Sequence, residues 1–312
     1  MTTRRIIIDC DPGQDDAVML LLALACPEEF DVLGITTVAG NVPLDLTQRN
    51  ARIMCEIAAR TDVPVFAGCE RPMRRKLITA ENVHGKTGID GLEVYEPSMP
   101  LQEQHAVDFI VATLLDAEPD SITLVPTGPL TNIGQAISRE PAILESIAEI
   151  VLMGGAVREG GNFSPCAEFN MLVDPDAAHL VLHCGRAVTM VPLDTTHQAL
   201  VTRKRIERLR AIPSPAGPAV IGMLEFFNRF DSKKYGSEGA PLHDPCTIAY
   251  LLKPELFEGK MCNVEIETES PLTLGHTAVD FWEVTNRPKN VNWLHRIDAD
   301  GYYDLLVERL GK

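Results

Sequence analysis

Residues 6–24 read IIIDCDPGQDDAVMLLLAL. Three isoleucines open the run with the signature of a buried strand in a parallel sheet. Pro12-Gly13 then breaks it with a turn. Asp15 or Asp16 starts a helix, whose free N–H groups and dipole favour negative charge. Asp9, Asp11, Asp15 and Asp16 thus crowd a single strand-to-helix turn. Four carboxylates this close repel one another at neutral pH, and a hard divalent cation is the simplest remedy. Helix capping alone accounts for one of these acids, not four. The expectation is a metal site at the carboxyl end of the first strand.

Outward from this turn, strand and helix signals alternate. Strands are expected at 32–38 (VLGITTV), 63–67, 122–125, 149–153 and 187–191, and helices at 46–60, 106–117 and 177–184. Residues 68–100 hold no lasting period and read as a long functional loop. Alternation of this kind means α/β: one domain spanning 1–312, with a mostly parallel central sheet and helices on both faces, Rossmann-like. The ligand is then expected beyond the carboxyl ends of the strands, at Asp9–Asp16, Gly40-Asn41, Thr127-Gly128, Met153-Gly154 and Asp194. The last third is less regular. Helices are expected at 206–209, 220–230 and 246–252, a polar connection at 231–241, and strands at 262–267, 277–281 and 291–297.

The chain has 312 residues, enough for one large α/β core, and a formal charge of −16 from 28 basic and 44 acidic side chains. That balance argues against nucleic acid and anionic membranes as partners. Eight cysteines without a CxxC pair read as reduced core residues and make zinc an unsuitable metal. The start MTTRR leaves no room for a signal peptide. The longest apolar run, 17–26, is about half of what a membrane span needs. A cytoplasmic protein is expected.

Two further polar clusters carry possible chemistry: Glu168 and Asn170 in EGGNFSPCAEFN, and His243-Asp244-Pro245. The phosphate-binding signatures GxGxxG and GxxxxGK[ST] do not occur, nor does the acyl-transfer elbow GxSxG. Taken in order, DCDPGQDDAV, VAGN, LVPTGPLTNI, VLMGG, AEFN followed by DPDAA, and HDPC resemble the inosine–uridine-preferring nucleoside hydrolase family. The likeness spans about residues 5 to 250 and weakens toward the C-terminus.

The resemblance implies a calcium-dependent cleavage of the N-glycosidic bond of ribonucleosides, giving ribose and a free base. It implies Ca²⁺ ligands at Asp11, Asp16, Asp244 and the carbonyl of Thr127, with Asp11 also the general base. Asp15 and Asn41 would hold ribose hydroxyls, Glu168 and Asn170 the 5′ end, and Met153 a wall of the ribose pocket. His243 would stand on the base side and help the leaving group, since an imidazole is tuned to give a proton near pH 7. His84, in NVHGKTG, would belong to a mobile lid over the nucleobase. Family members form dimers or tetramers, so a homo-oligomer is expected. Asp9 is expected to hold the loop through hydrogen bonds rather than to react. Cys10 is expected in the core, and His197 stays open. Phe226, Phe227, Phe230 and Tyr235 are candidates for the base pocket.

Two other readings are compatible with a first-strand acid motif. One is a magnesium-dependent phosphohydrolase of the haloacid dehalogenase type, with Asp9 as nucleophile and Asp11 as acid. Pro12-Gly13 and the Asp15-Asp16 pair fit it poorly. The other is a non-catalytic ribose or nucleoside sensor that retains the metal site.

Overall fold

The computed structural model describes residues 3–235 and 238–312, and the side chains of all of these except 230–235. Its strands are β1 (Arg4–Cys10), β2 (Phe30–Thr37), β3 (Val65–Ala67), β4 (Ile122–Pro126), β5 (Ile147–Met153), β6 (Val188–Val191), β7 (Phe257–Cys262), β8 (Val264–Ile266), β9 (Thr277–Val279) and β10 (Val291–Ile297). Eight of them form one sheet in the order β3-β2-β1-β4-β5-β6-β10-β7, and β8 pairs with β9 in a small second sheet. Every pairing in the large sheet is parallel except the β10–β7 edge.

β1 shows how the sequence builds this arrangement. Side chains alternate across a strand, so Ile6, Ile8 and Cys10 enter one core cluster and Ile7 the other. Helices cover both clusters. The helix Gln14–Leu24 is buried at every residue. It lies against the helices Leu44–Ile57, Ala216–Tyr235, Pro245–Leu252 and Ala299–Leu310. A helix apolar on all sides belongs inside the protein, and burying each of Leu20, Leu21 and Leu22 contributes about 1.5–3 kcal/mol. That burial carries the N-terminal acids of the helix into the interior as well.

The chain leaves β1 for β2 and β3 on one side and returns to β4 on the other. The crevice at this reversal, beyond the carboxyl ends of β1 and β4, is where open α/β sheets bind ligands. The helix Pro245–Leu252 packs on Gln14–Leu24 and brings its own N-terminus to the same point.

Three expectations from sequence need correction. The helix Ala216–Tyr235 runs through much of what reads as a polar connection at 231–241. The single strand expected at 262–267 is split between the two sheets. At the split, Asn290 donates its backbone N–H to the Cys262 carbonyl and accepts the Val264 N–H at its side-chain oxygen. The loop 68–100 contains a short helix, Glu81–His84. All eight cysteines are free, and Cys10 is fully buried in the core. No helix among the described residues is long and apolar enough to cross a membrane.

Candidate active site

Carboxylate oxygens of Asp15, Asp16 and Asp244, all buried, lie within 4.8 Å of one another. Asp15 and Asp16 stand in the first turn of Gln14–Leu24, and Asp244 caps Pro245–Leu252 without a side-chain bond to its own helix. Two helix N-termini therefore face this cluster and offset part of its charge. Asp16 is the most firmly held. Its Oδ1 accepts from Thr127 Oγ1 at 2.7 Å, and its Oδ2 accepts from the Gly13 N–H at 3.1 Å and from Asn41 Nδ2 at 3.2 Å.

Asp11 lies beside the trio, not within it. The Asn41 backbone N–H donates to its Oδ2 at 2.7 Å, while its Oδ1 is buried without a partner among the described residues. Gly40 and Gly128 close on the two oxygens: a Cβ at Gly40 would overlap Asp11 Oδ2, and one at Gly128 would stand 2.6 Å from Oδ1. Gly40→Ala should therefore displace the carboxylate. A misplacement on the order of 1 Å costs about 10²-fold in rate, so kcat on a ribonucleoside is expected to fall by about that factor with the fold retained by circular dichroism.

Burial dominates the electrostatics. It raises the Asp15 carboxyl from 3.8 to about 7, with the Asp16 charge adding to the effect. It pushes Asp11 and Asp244 well above the usual range, aided by Asp16 for Asp11 and by Asp15 and Asp16 for Asp244. Asp16 is raised for the same first reason, with its hydrogen bond from Thr127 opposing. Burial thus favours protonated carboxyls at a site whose donors are all oxygens, and the Asp15 Oδ1 and Asp11 Oδ1 atoms are buried without a partner among the described residues. Such a donor set suits a hard divalent cation, which would replace those protons. Asp15, Asp16 and Asp244 would hold it, with Asp11 and Thr127, whose hydroxyl bonds Asp16, beside them. The resemblance implies a sugar-binding role for Asp15; the structure places it inside the acidic trio.

Above the trio opens a cavity that brings polar and aromatic side chains from distant parts of the chain together. Asp15, Asn41, His84, Thr127, Met153, Glu168, Asn170, His243 and Asp244 all line it, so residues scattered from 15 to 244 in the sequence meet there. Asp11 and Asp16 lie beneath, fully buried. Glu168 caps the helix Phe169–Val173 and accepts from the backbone N–H groups of Asn170, Met171 and Gly155 at 2.9, 3.1 and 3.1 Å. Asn170 Nδ2 donates to the carbonyls of Thr127 and Met153 at 2.7 and 3.2 Å. The Thr127 carbonyl therefore already carries one hydrogen bond.

The two histidines differ from expectation. His243 Nδ1 lies 2.7 Å from Thr196 Oγ1, and burial, then the neighbouring His197 and His84, push its pKa well below the ordinary value. Burial likewise lowers His84 to about 3. In the metal-free protein neither imidazole is poised near pH 7, because a low-dielectric surround disfavours the charged form. His197 also lines the cavity, with its ring 5.8 Å from that of His243.

Phe227 lines the cavity beside His84, at 5.6 Å between ring centres. Phe226 instead lies under the Arg229 guanidinium. The side chains of Phe230 and Tyr235 lie outside those described. Phe163 and Phe169 line the cavity too; the sequence reading misses them, although Phe169 lies within the AEFN segment and Phe163 just before it. It also misses Gln14 and Asn132. Asn132 donates to Asp9 Oδ1 at 2.8 Å, and Thr36 Oγ1 to the same oxygen at 2.6 Å. One Asp9 oxygen is thus taken up by two hydrogen bonds and the residue does not line the cavity, which disfavours a phosphohydrolase that would use it as nucleophile.

Fold and site define an α/β enzyme with an acidic centre under a cavity of mixed polar and aromatic lining. Residues 6–304 match the family described as inosine-uridine preferring nucleoside hydrolase. A pyrimidine-specific ribonucleoside hydrolase RihA from Shewanella sp. (strain MR-7) is 47% identical over 309 residues, covering 99% of this chain and 96% of that protein. One of the same name from Photobacterium profundum is 47% identical over 309 residues, with 99% of both chains covered. Among solved structures, the plant nucleoside hydrolase PpNRh1 superposes with a TM-score of 0.93 at 30% identity, covering 99% of each chain. The purine-preferring ribonucleoside hydrolase from Gardnerella vaginalis gives 0.91 at 30% identity, covering 99% of this chain and 98% of that one. The chain belongs to the inosine–uridine preferring nucleoside hydrolase family and is an N-glycosyl hydrolase.

Proposed function

We propose that this protein hydrolyses ribonucleosides to ribose and free base in a Ca²⁺-dependent reaction, with pyrimidine ribonucleosides preferred. The observation that carries the reading is the buried trio Asp15, Asp16 and Asp244, two of which line a cavity shared with Asn41, His84, Glu168, Asn170 and His243. An all-oxygen donor set favours calcium over softer metals. The pyrimidine preference rests on the RihA relatives. When bound, the ion supplies positive charge that neutralises the acids and makes nearby water more acidic.

The residues then divide the work. Asp15, through the carboxylate oxygen not given to the ion, and Asn41 hold ribose hydroxyls, Glu168 and Asn170 hold the 5′ end, and Met153 walls the sugar. Asp11 takes a proton from the attacking water, whose oxygen bonds to C1′ while the N-glycosidic electron pair leaves with the base. Carboxylates around the sugar stabilise its oxocarbenium-like charge. His243 and His84 face the base as neutral imidazoles, so His243 assists departure through hydrogen bonding rather than as a stored acid. The reading extends to a cytoplasmic homo-oligomer, a dimer or tetramer.

Purified protein incubated with uridine, cytidine and inosine, with and without a chelator, tests this. Reducing sugar is expected from the pyrimidine nucleosides only when Ca²⁺ is restored. Undiminished turnover after exhaustive chelation would overturn the metal dependence, and faster cleavage of inosine would overturn the preference.

A further inference from the structure

Gln14 is an uncharged residue in an otherwise acidic turn, and it is fully buried. Its Nε2 donates to two backbone carbonyls, those of His84 at 2.8 Å and Asp90 at 3.2 Å. Carbonyls only accept, so the amide orientation is fixed by chemistry. Its Oε1 then stands 2.7 Å from His84 Nδ1. An amide oxygen also only accepts, so the proton of the imidazole must sit on Nδ1. The ring is seated against Gly13, where a Cβ would lie 2.7 Å from His84 Cε1. Turning the ring over would put carbon against a buried amide oxygen and leave it unsatisfied. His84 lines the cavity, and its Nε2 has no protein partner among the described residues.

We propose, building on the hydrolase reading above, that Gln14 is a positioning residue that locks His84 in its Nδ1–H tautomer, so that Nε2 faces the cavity as a hydrogen-bond acceptor for an N–H of the nucleobase. Burial disfavours the charged ring, and a neutral imidazole with Nδ1 protonated has only a lone pair to offer at Nε2. The site therefore selects bases that present a donor there, such as N3–H of uracil or the amino group of cytosine, and His84 orients the base without protonating it. The same amide ties residues 84–90 to the turn that carries Asp15 and Asp16, so the base contact and the acidic trio share one support.

The test compares wild type, Gln14→Glu and Gln14→Met in the Ca²⁺-loaded protein. A carboxylate at 14 still accepts from Nδ1–H but cannot donate to the two carbonyls; a thioether does neither. Long-range ¹H–¹⁵N spectra of histidine-labelled protein should show His84 protonated at Nδ1 and bare at Nε2 in wild type and Gln14→Glu, and lose that pattern in Gln14→Met. In kinetics, wild type and Gln14→Glu should disfavour 3-methyluridine against uridine by about tenfold or more in kcat/KM, and Gln14→Met should relax this ratio. The penalty on 5′-deoxyuridine should be the same in all three. A bare Nδ1 in wild type would overturn the proposal. So would an unchanged tautomer in Gln14→Met, or a Gln14-dependent penalty confined to 5′-deoxyuridine. The spectra need no turnover. Failure to cleave uridine would count against the hydrolase reading, whereas a wrong tautomer would count against this one.

Discussion

Asp11→Asn lowers kcat on uridine by about 10³-fold or more, the range expected when a general base is removed, without lowering the thermal midpoint of the metal-free protein at pH 8. The two halves of this expectation have one cause. Asp11 is fully buried, its Oδ1 has no partner among the described residues, and its carboxyl is pushed upward by burial and by Asp16. Ionising it costs free energy that folding must supply. The isosteric amide keeps the Asn41 backbone hydrogen bond to its oxygen and removes the charge. A group kept at a cost to stability is kept for chemistry. Stopped assays for ribose and a melting curve on the same preparation read both effects. Retention of more than a tenth of the wild-type kcat would remove Asp11 from the role of base.

The second large effect is a pH dependence that Ca²⁺ abolishes in part. Asp9 and Asp15 have folded values of about 7 against an ordinary 3.8, and Asp11 and Asp244 lie higher than ordinary as well. Between those values the folded chain holds protons that the unfolded chain has released. The unfolded state binds fewer protons, so stability falls as pH rises. The contribution is complete below about pH 4 and is lost as pH climbs through about 7. For Asp9 alone, a separation of roughly three units corresponds to about 4 kcal/mol. The metal-free protein should therefore lose thermal stability steadily from pH 5 to pH 8. With Ca²⁺ the part due to Asp11, Asp15, Asp16 and Asp244 should vanish, because the ion takes the place of the protons. The part due to Asp9 should persist, since it stands outside the acidic trio with its Oδ1 held by Thr36 and Asn132. Equal slopes with and without Ca²⁺ would contradict the arrangement.

Much of this is legible in the chain. The three isoleucines before Asp9 alternate across the sheet as a buried parallel strand requires, and Gln14–Leu24 is as apolar as a fully enclosed helix must be. The helix Thr131–Arg139 is not legible. Gly134 sits in it with low helix propensity, yet that glycine lets the helix approach Ala177, whose Cβ would be 2.9 Å from an added methyl. Packing overrides propensity there. The C-terminal helix Ala299–Leu310 escapes the sequence reading although Asp298 caps it by accepting from the Gly301 N–H. At the site, the acids announce themselves by crowding, but the partition among them does not. Only the meeting of two helix N-termini puts Asp15 with Asp16 and Asp244. Gln14 carries no charge among the crowded acids, so its grip on His84, seventy positions on, emerges only when the loop is folded over the turn.

Calorimetric titration of the chelator-treated protein with Ca²⁺, run beside Asp244→Asn, tests most directly whether acids from the two ends of the chain build one centre. The account predicts one ion per wild-type chain, released protons on binding, ribose production that rises along the same curve, and loss of binding in the variant. Saturation of Asp244→Asn at the wild-type affinity, or uridine cleavage complete before any ion is bound, would contradict it.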